Sequence, residues 1–185
     1  VILLTGGSLL RSDDLPGIPA ERMEILNACL PLIGRAPRVL DWLDRQTPTR
    51  LRLDLENPAG NWHLLGLFNW QDRPRTLSLS RADFRLNPEV QYIVRSFWDG
   101  KIFRWERDSL DVQLPAHGSL VLALHPLETA QPLYLGSSLH ISGGQELIRW
   151  EFSAEELSLR LSRPGRASGS IDLYLPEPPT AAFLD

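Results

Sequence analysis

A chain of 185 residues holds one generous domain, or one domain with a small module attached. Its 43% hydrophobic content excludes a disordered chain, and a net charge of −4 gives no basic footprint for nucleic acid. No apolar run approaches the length that crosses a bilayer and no signal peptide with a basic start is visible, so no membrane partner is expected. All but one of the 19 basic residues are arginine, Lys101 being the exception, a bias that by itself identifies no site. The single cysteine, Cys29, rules out an internal disulfide framework and suits a reducing compartment, so a cytoplasmic location is expected.

The chain opens on Val1 inside an apolar run and reads as a piece cut from a longer polypeptide. Val1 to Leu4 reads as a buried strand, Thr5-Gly6-Gly7-Ser8 loosens the backbone, and Ser12 to Gly17 is a turn. A helix is predicted from Pro19, which suits a first helical position, with Glu21 in the first turn where negative charge favours the helix dipole. Ile25, Leu26, Cys29 and Leu30 fall on one face at helical spacing, and Pro31 ends the run. Arg38-Val39-Leu40 is the next candidate strand. Residues 1–40 thus read as one unit of a β/α fold, which cannot bury both of its apolar faces alone.

From Trp42 the texture changes to short strands with turn signals about every eight to twelve residues, the pattern of a sandwich. Arg50 to Leu55 alternates and Asn57-Pro58-Ala59-Gly60 turns it. Leu64 to Phe68 is apolar at every position except Gly66, as in a strand covered on both sides. Asn69 to Pro74 is a turn and Thr76 to Leu79 alternates, so a central hairpin is predicted here. Further strands are expected at Glu89–Phe97, Lys101–Trp105 across the tight Asp99-Gly100 turn, Leu110–Leu114 and Ser119–Leu124. Pro126 to Pro132 reads as a linker. Gln145–Phe152, Leu157–Leu161 and Ile171–Leu175 make a smaller β section before a fraying tail. The expected fold class is therefore mainly β: an antiparallel β-sandwich at 41–126, a strand-helix unit at 1–40 and a β extension at 127–185.

Two segments in this order are familiar. Leu9-Leu10-Arg11-Ser12-Asp13-Asp14-Leu15 before an acidic helix, then Gly66-Leu67-Phe68-Asn69-Trp70 with Phe97-Trp98-Asp99-Gly100 beyond it, resemble the C-terminal third of melibiase-type α-galactosidases. Leu135-Gly136-Ser137-Ser138-Leu139-His140-Ile141 looks like a segment that follows the sandwich in bacterial relatives. The resemblance implies that residues 1–40 are the end of a (β/α)₈ barrel and that the following residues form the sandwich behind it. It also implies that the two catalytic aspartates of a retaining glycoside hydrolase lie on barrel strands preceding Val1. Asp14 matches the aspartate of a triplet near the barrel mouth, whereas Asp13 stands where an amide is more usual. Barrel strand ends meet substrate, so Asp13 and Asp14 are candidate substrate-proximal residues. They are not the hydrolytic pair, which needs carboxyl groups about 5–5.5 Å apart on either side of the bond. The plainer alternative is that both bond their own turn or cap nearby backbone N–H groups.

The four histidines, His63, His117, His125 and His140, show no metal-ligand spacing, so neither a metal site nor a cofactor is expected. Cys29 reads as a small core residue. Gly6-Gly7 and Gly143-Gly144 read as turns or bulges, and Ser8 and Ser138 sit in no nucleophile elbow. Of the six tryptophans, Trp62 and Trp70 abut the buried strand and are expected in the core. Trp98 and Trp105 flank the Asp99-Gly100 turn and are candidates for exposure and sugar stacking, against the alternative that they pack between layers.

The sequence thus points to a non-catalytic C-terminal sandwich region of an α-galactosidase-like enzyme, inactive alone and bracing an upstream catalytic barrel. The alternative is an independent carbohydrate-binding module using Trp98, Trp105 or Trp150. An adhesion domain of immunoglobulin type is disfavoured by the barrel-like opening. Without its barrel, the Ile25, Leu26, Cys29 and Leu30 face should be an exposed apolar patch, to be covered by another chain such as a second copy, by absent residues of the barrel, or by a rearranged packing on the sandwich.

Overall fold

Alternating leucines build the first layer. The computed structural model describes residues 1–9, 14–44, 46–127, 131–154 and 156–183. Strands β1 (Arg38–Val39), β2 (Arg50–Asn57), β3 (Gly60–Phe68), β5 (Tyr92–Ser96), β6 (Ile102–Trp105) and β8 (Ser119–Pro126) form a six-stranded sheet in the order β1-β2-β3-β8-β5-β6. Every neighbouring pair is antiparallel. Strands β4 (Arg75–Ser80) and β7 (Ser109–Leu114) make a second layer, β9 (Leu133–Ser137) pairs with β12 (Ile171–Tyr174), and β10 (Leu147–Phe152) pairs with β11 (Leu157–Leu161). One α-helix, α1 (Ala20–Ala28), stands among the described residues. The fold is mainly β with antiparallel sheets.

Because side chains alternate across a strand, each central strand feeds two cores. Leu51, Leu53 and Leu55 of β2, Trp62, Leu64 and Phe68 of β3, and Val121 and Ala123 of β8 bury on one face. Leu65 and Leu67 of β3, Val94 of β5, and Leu122 and Leu124 of β8 bury on the other, against Leu77, Leu79 and Leu114 of the second layer. A fully buried leucine is worth about 1.5–3 kcal/mol, so a strand covered on both sides is the most stabilised part of the sheet. The apolar run at 64–68 has this position.

The predicted hairpin does not form. The strands at Leu64–Phe68 and Thr76–Leu79 both exist, but β3 pairs with β2 and β8, while β4 crosses to the second layer and pairs with β7. The Asn69–Pro74 connection makes this possible by bonding across rather than back. Asn69 donates from its backbone N–H to Gly118 O and from its side-chain amide to the Arg73 and Pro115 carbonyls. The strand at Leu133–Ser137 went unread, and Pro126, taken for linker, ends β8; Leu127 donates to Gln91 O, and residues 128–130 lie outside the described residues.

Val1 to Leu4 is a turn and not a strand: Thr5 N–H bonds back to the carbonyls of Val1 and Ile2. Leu3, Leu4 and Ile33 nevertheless bury in the first core beside β2 and β3, and Val39 sits opposite Leu51 in the sheet. Packing therefore runs across residue 40 without a gap. Gly66, the one interruption in the apolar run, has a physical reason to be there. A Cβ on it would stand 2.5 Å from Leu4 Cδ1, so the missing side chain is the seat of the N-terminal segment.

The helix starts one residue later than predicted, with Pro19 as its N-cap, and ends at Ala28. Its expected apolar face is divided. Ile25 is 48% exposed, Leu26 and Leu30 are half-buried, and Cys29, just past the last turn, packs half-buried against the first core. Val1, Ile2 and Leu15 are exposed as well. No helix among the described residues is long and apolar enough to cross a membrane.

Candidate functional site

Asp13 lies outside the described residues. Asp14 is exposed ahead of the short helical turn at Leu15–Gly17 and makes no side-chain cap bond, so the capping role considered for it is not realised; its backbone carbonyl accepts from Gly17 N–H. Among the described residues no group of His, Cys, Asp and Glu could hold a metal ion.

The tryptophans sort differently from the sequence expectation. Trp105 is 2% exposed: its ring stands edge-on to Phe84, 6.4 Å between centroids, inside the second core, and is closed to any sugar. It lies at the far end of β6, away from the turn, which is why its neighbour in the expectation fares otherwise. Trp98 sits in the β5–β6 turn and is 44% exposed, with its ring edge-on to Phe97. Trp62 is in the core as expected, its indole N–H donating to Ser142 O at 2.8 Å and its ring stacked on His125. Trp70 is not: it lies just beyond β3 and is 44% exposed, as Trp98 is. Trp150 is half-buried against Tyr134. The signal for Trp70 was its place after the apolar run and before the polar Gln71-Asp72-Arg73.

The histidines are structural or sit at the surface. His125 is buried and held neutral, its pKa pushed down to about 3 by burial, with a bond to the Leu135 backbone opposing. His140 donates from Nε2 to Pro31 O and accepts from Ser142 at Nδ1, both at 2.7 Å, and burial lowers its pKa as well. His63 faces Asp54 across the β2–β3 pair with Nδ1 2.7 Å from Oδ1; burial and Arg52 hold its pKa below the ordinary value, against Asp54. Arg52 bonds Asp54 as well as the Phe84 and Arg85 carbonyls, so this cluster ties the sheet to the loop after β4.

A second polar cluster fastens residues 133–147 onto the first core. Glu146 accepts from the hydroxyls of Tyr134 and Ser137. Asn57 donates to Gly144 O at 2.9 Å. The Gly143-Gly144 pair, read as a turn, lets this loop lie flat on the sheet: a Cβ on Gly143 would meet Ala123 at 2.8 Å, and one on Gly144 would meet Asn57 Nδ2 at 2.7 Å. Arg95, 3% exposed, pairs with Asp172 of β12 at 2.7 Å. These partners were not legible as a site, since Asn57 and Gly144 lie 87 positions apart and Arg95 and Asp172 lie 77 apart.

No protein-family model and no curated protein matches the chain. Solved structures do. The α-galactosidase I of Mortierella vinacea superposes with a TM-score of 0.50 at 18% identity, covering 66% of this chain and 33% of its own. A GH27 β-L-arabinopyranosidase of Geobacillus stearothermophilus gives 0.54 at 14% identity, covering 69% and 28%. The chain shares its fold with part of these glycosidases. It spans about a third of their length.

Proposed function

We propose that the chain is the non-catalytic sandwich region of an α-galactosidase-like glycoside hydrolase and that it braces a catalytic barrel supplied by preceding polypeptide. The observation that carries this reading is the N-terminal segment. Leu3, Leu4 and Ile33 anchor it in the sandwich core, while Val1, Ile2, Leu15 and Ile25 stay exposed. A segment that buries part of its apolar side chains and leaves others open to water suits a place beside a further body. The fold shared with part of two glycosidases supports the same reading. Under it, residues 1–40 are the end of the barrel, and Asp13 and Asp14 lie near the sugar, with Asp14 exposed and without a cap bond. The proposed compartment is the cytoplasm.

Retaining hydrolysis needs two rigidly held carboxyl groups about 5–5.5 Å apart, and the reading assigns them to the barrel. The test is to incubate the 185-residue chain with an aryl α-galactoside. Release of the aryl alcohol at the buffer rate is expected, and turnover well above it defeats the reading. Expressed in trans, the chain should restore activity to a barrel truncated before Val1; a barrel fully active by itself would equally defeat the bracing role.

A further inference from the structure

The six-stranded sheet ends, where β3 and β5 stop and β8 begins, in a rim that carries Trp70 and Trp98. With β8 lying between β3 and β5, the two tryptophans follow strands two spacings apart, about 10 Å across the sheet, and they are staggered along it, since Phe68 lies level with Ser119 and Phe97 with Val121. Both rings are held. The Trp70 indole N–H donates to Pro48 O at 2.8 Å, and one ring face lies on Phe68 with 5.8 Å between centroids and 26° between planes. With the N–H edge and one face engaged, the opposite face is the one left for stacking in a residue that is 44% exposed. Trp98 is braced by Phe97 at 5.1 Å, and Phe97 packs against the first core.

The backbone beneath Trp70 is equally rigid. Asn69 closes its own loop through Arg73 O and Gln71 N–H and ties it to the chain after β7 at Pro115 O. His117, in the left-handed region at φ 54°, donates its backbone N–H to Gln71 O and brings Nε2 within 2.9 Å of Asp72 Oδ1. Beside Trp98, Lys101 Nζ lies 3.0 Å from Asp99. Those four charged or titratable side chains are all largely exposed.

Preformed flat rings lose little freedom on binding, and rigid sites bind better for it. A protein partner wants a continuous apolar centre with charges confined to the edge; here the paired Asp72 and His117 belong to the two loops that hold Trp70, and the paired Asp99 and Lys101 follow Trp98 in its turn. Two carboxylates against one ammonium disfavour a phosphate chain. A ligand that is apolar on its ring faces and hydroxylated on its edges fits both halves of this surface. We propose that Trp70 and Trp98 form a stacking platform for an oligosaccharide, with Asp72, His117, Asp99 and Lys101 pairing with its hydroxyl groups. The choice of a sugar leans on the glycosidase reading above; the geometry of the rim does not.

The test is native electrophoresis of the 185-residue chain through gels cast with soluble galactomannan, with arabinogalactan, and with neither. Retardation by at least one polysaccharide is expected. Trp70→Ala and Trp98→Ala should each weaken it several-fold, by about tenfold at most. The double substitution should abolish it while the thermal transition and near-ultraviolet circular dichroism remain native. Trp70→Phe keeps a ring on Phe68 and should retain part of the binding, which separates lost stacking from lost folding. Unretarded wild-type protein, or a folded double variant that is still retarded, overturns the platform. So does retardation traced by sedimentation to pairing of copies through the rim. Sugar binding by a chain that fails to restore a truncated barrel supports the platform while sinking the bracing role; restoration without sugar binding does the reverse.

Discussion

Gly66→Ala should lever the N-terminal segment off the sheet. The added Cβ would lie 2.5 Å from Leu4 Cδ1 and 3.3 Å from Phe68 Cζ, where carbon atoms settle at about 3.5–4.0 Å. Something must therefore shift by about 1 Å, and Leu4 is itself buried, so its methyl has to move within close-packed surroundings. Overpacking of this kind costs about 1–3 kcal/mol. Leu4→Ala empties the same seat and should cost about 2–5 kcal/mol. The double variant is the informative one. The methyl at position 66 then enters space that Leu4 has left, so the combined loss should fall short of the sum of the single losses by about 1–3 kcal/mol. Urea denaturation midpoints, with the slope checked for constancy across the set, measure all three. If the two losses add to within about 0.5 kcal/mol, Leu4 does not sit on Gly66, and the account of residues 1–40 as anchored in the sandwich core is wrong.

Stability should also fall with acid, because His125 is neutral in the fold with its pKa at about 3, whereas the unfolded chain takes up that proton near pH 6.5. The unfolded state thus binds more protons between those values; the stability is fully present above pH 6.5 and drains away toward pH 3, about 2 kcal/mol of it by pH 5. His140 and His63, also lowered, add to the loss in the same direction. Urea midpoints at pH 7 and pH 5 should show it, and His125→Gln should flatten the slope; an unchanged slope contradicts a neutral buried imidazole. Asp172→Ala strands the Arg95 guanidinium without a counter-charge and should cost about 3 kcal/mol. Amide exchange should then quicken in β9 and β12 before the rest of the sheet, and uniform exchange with an unchanged midpoint would show that the pair does not hold that layer.

How much of this was legible can be argued element by element. Leu51, Leu53 and Leu55 alternate with polar residues, and that period is local, so β2 could be read from the chain itself; Asp99-Gly100 likewise announced its turn, with Gly100 at φ 64°. The apolar run at Leu64–Phe68 correctly indicated a strand covered twice. Its partner could not be read, because β3 pairs with β8, where Leu64 faces Ala123, 59 positions on, and no local pattern ranks that choice above the nearby β4. β9 escaped because Gly136 and Ser137 are small and polar. They are buried only since β12 pairs with them and Glu146 accepts the Ser137 hydroxyl.

Residue types, their two-residue alternation and their turn dipeptides determined most of the strands from β2 to β8 and that the protein would be mainly β, since these depend on neighbours along the chain. Tertiary structure alone decided which tryptophans face water. Trp105 and Trp98 lie seven positions apart around one hairpin, yet Phe84 closes over the first while nothing of the second core reaches the second. Burial is set by whatever arrives from elsewhere in the chain, and the arrival of Leu4 over Gly66 is the same lesson at the opposite end: a glycine that reads as a flaw in a strand becomes a socket once a distant side chain is known to fill it.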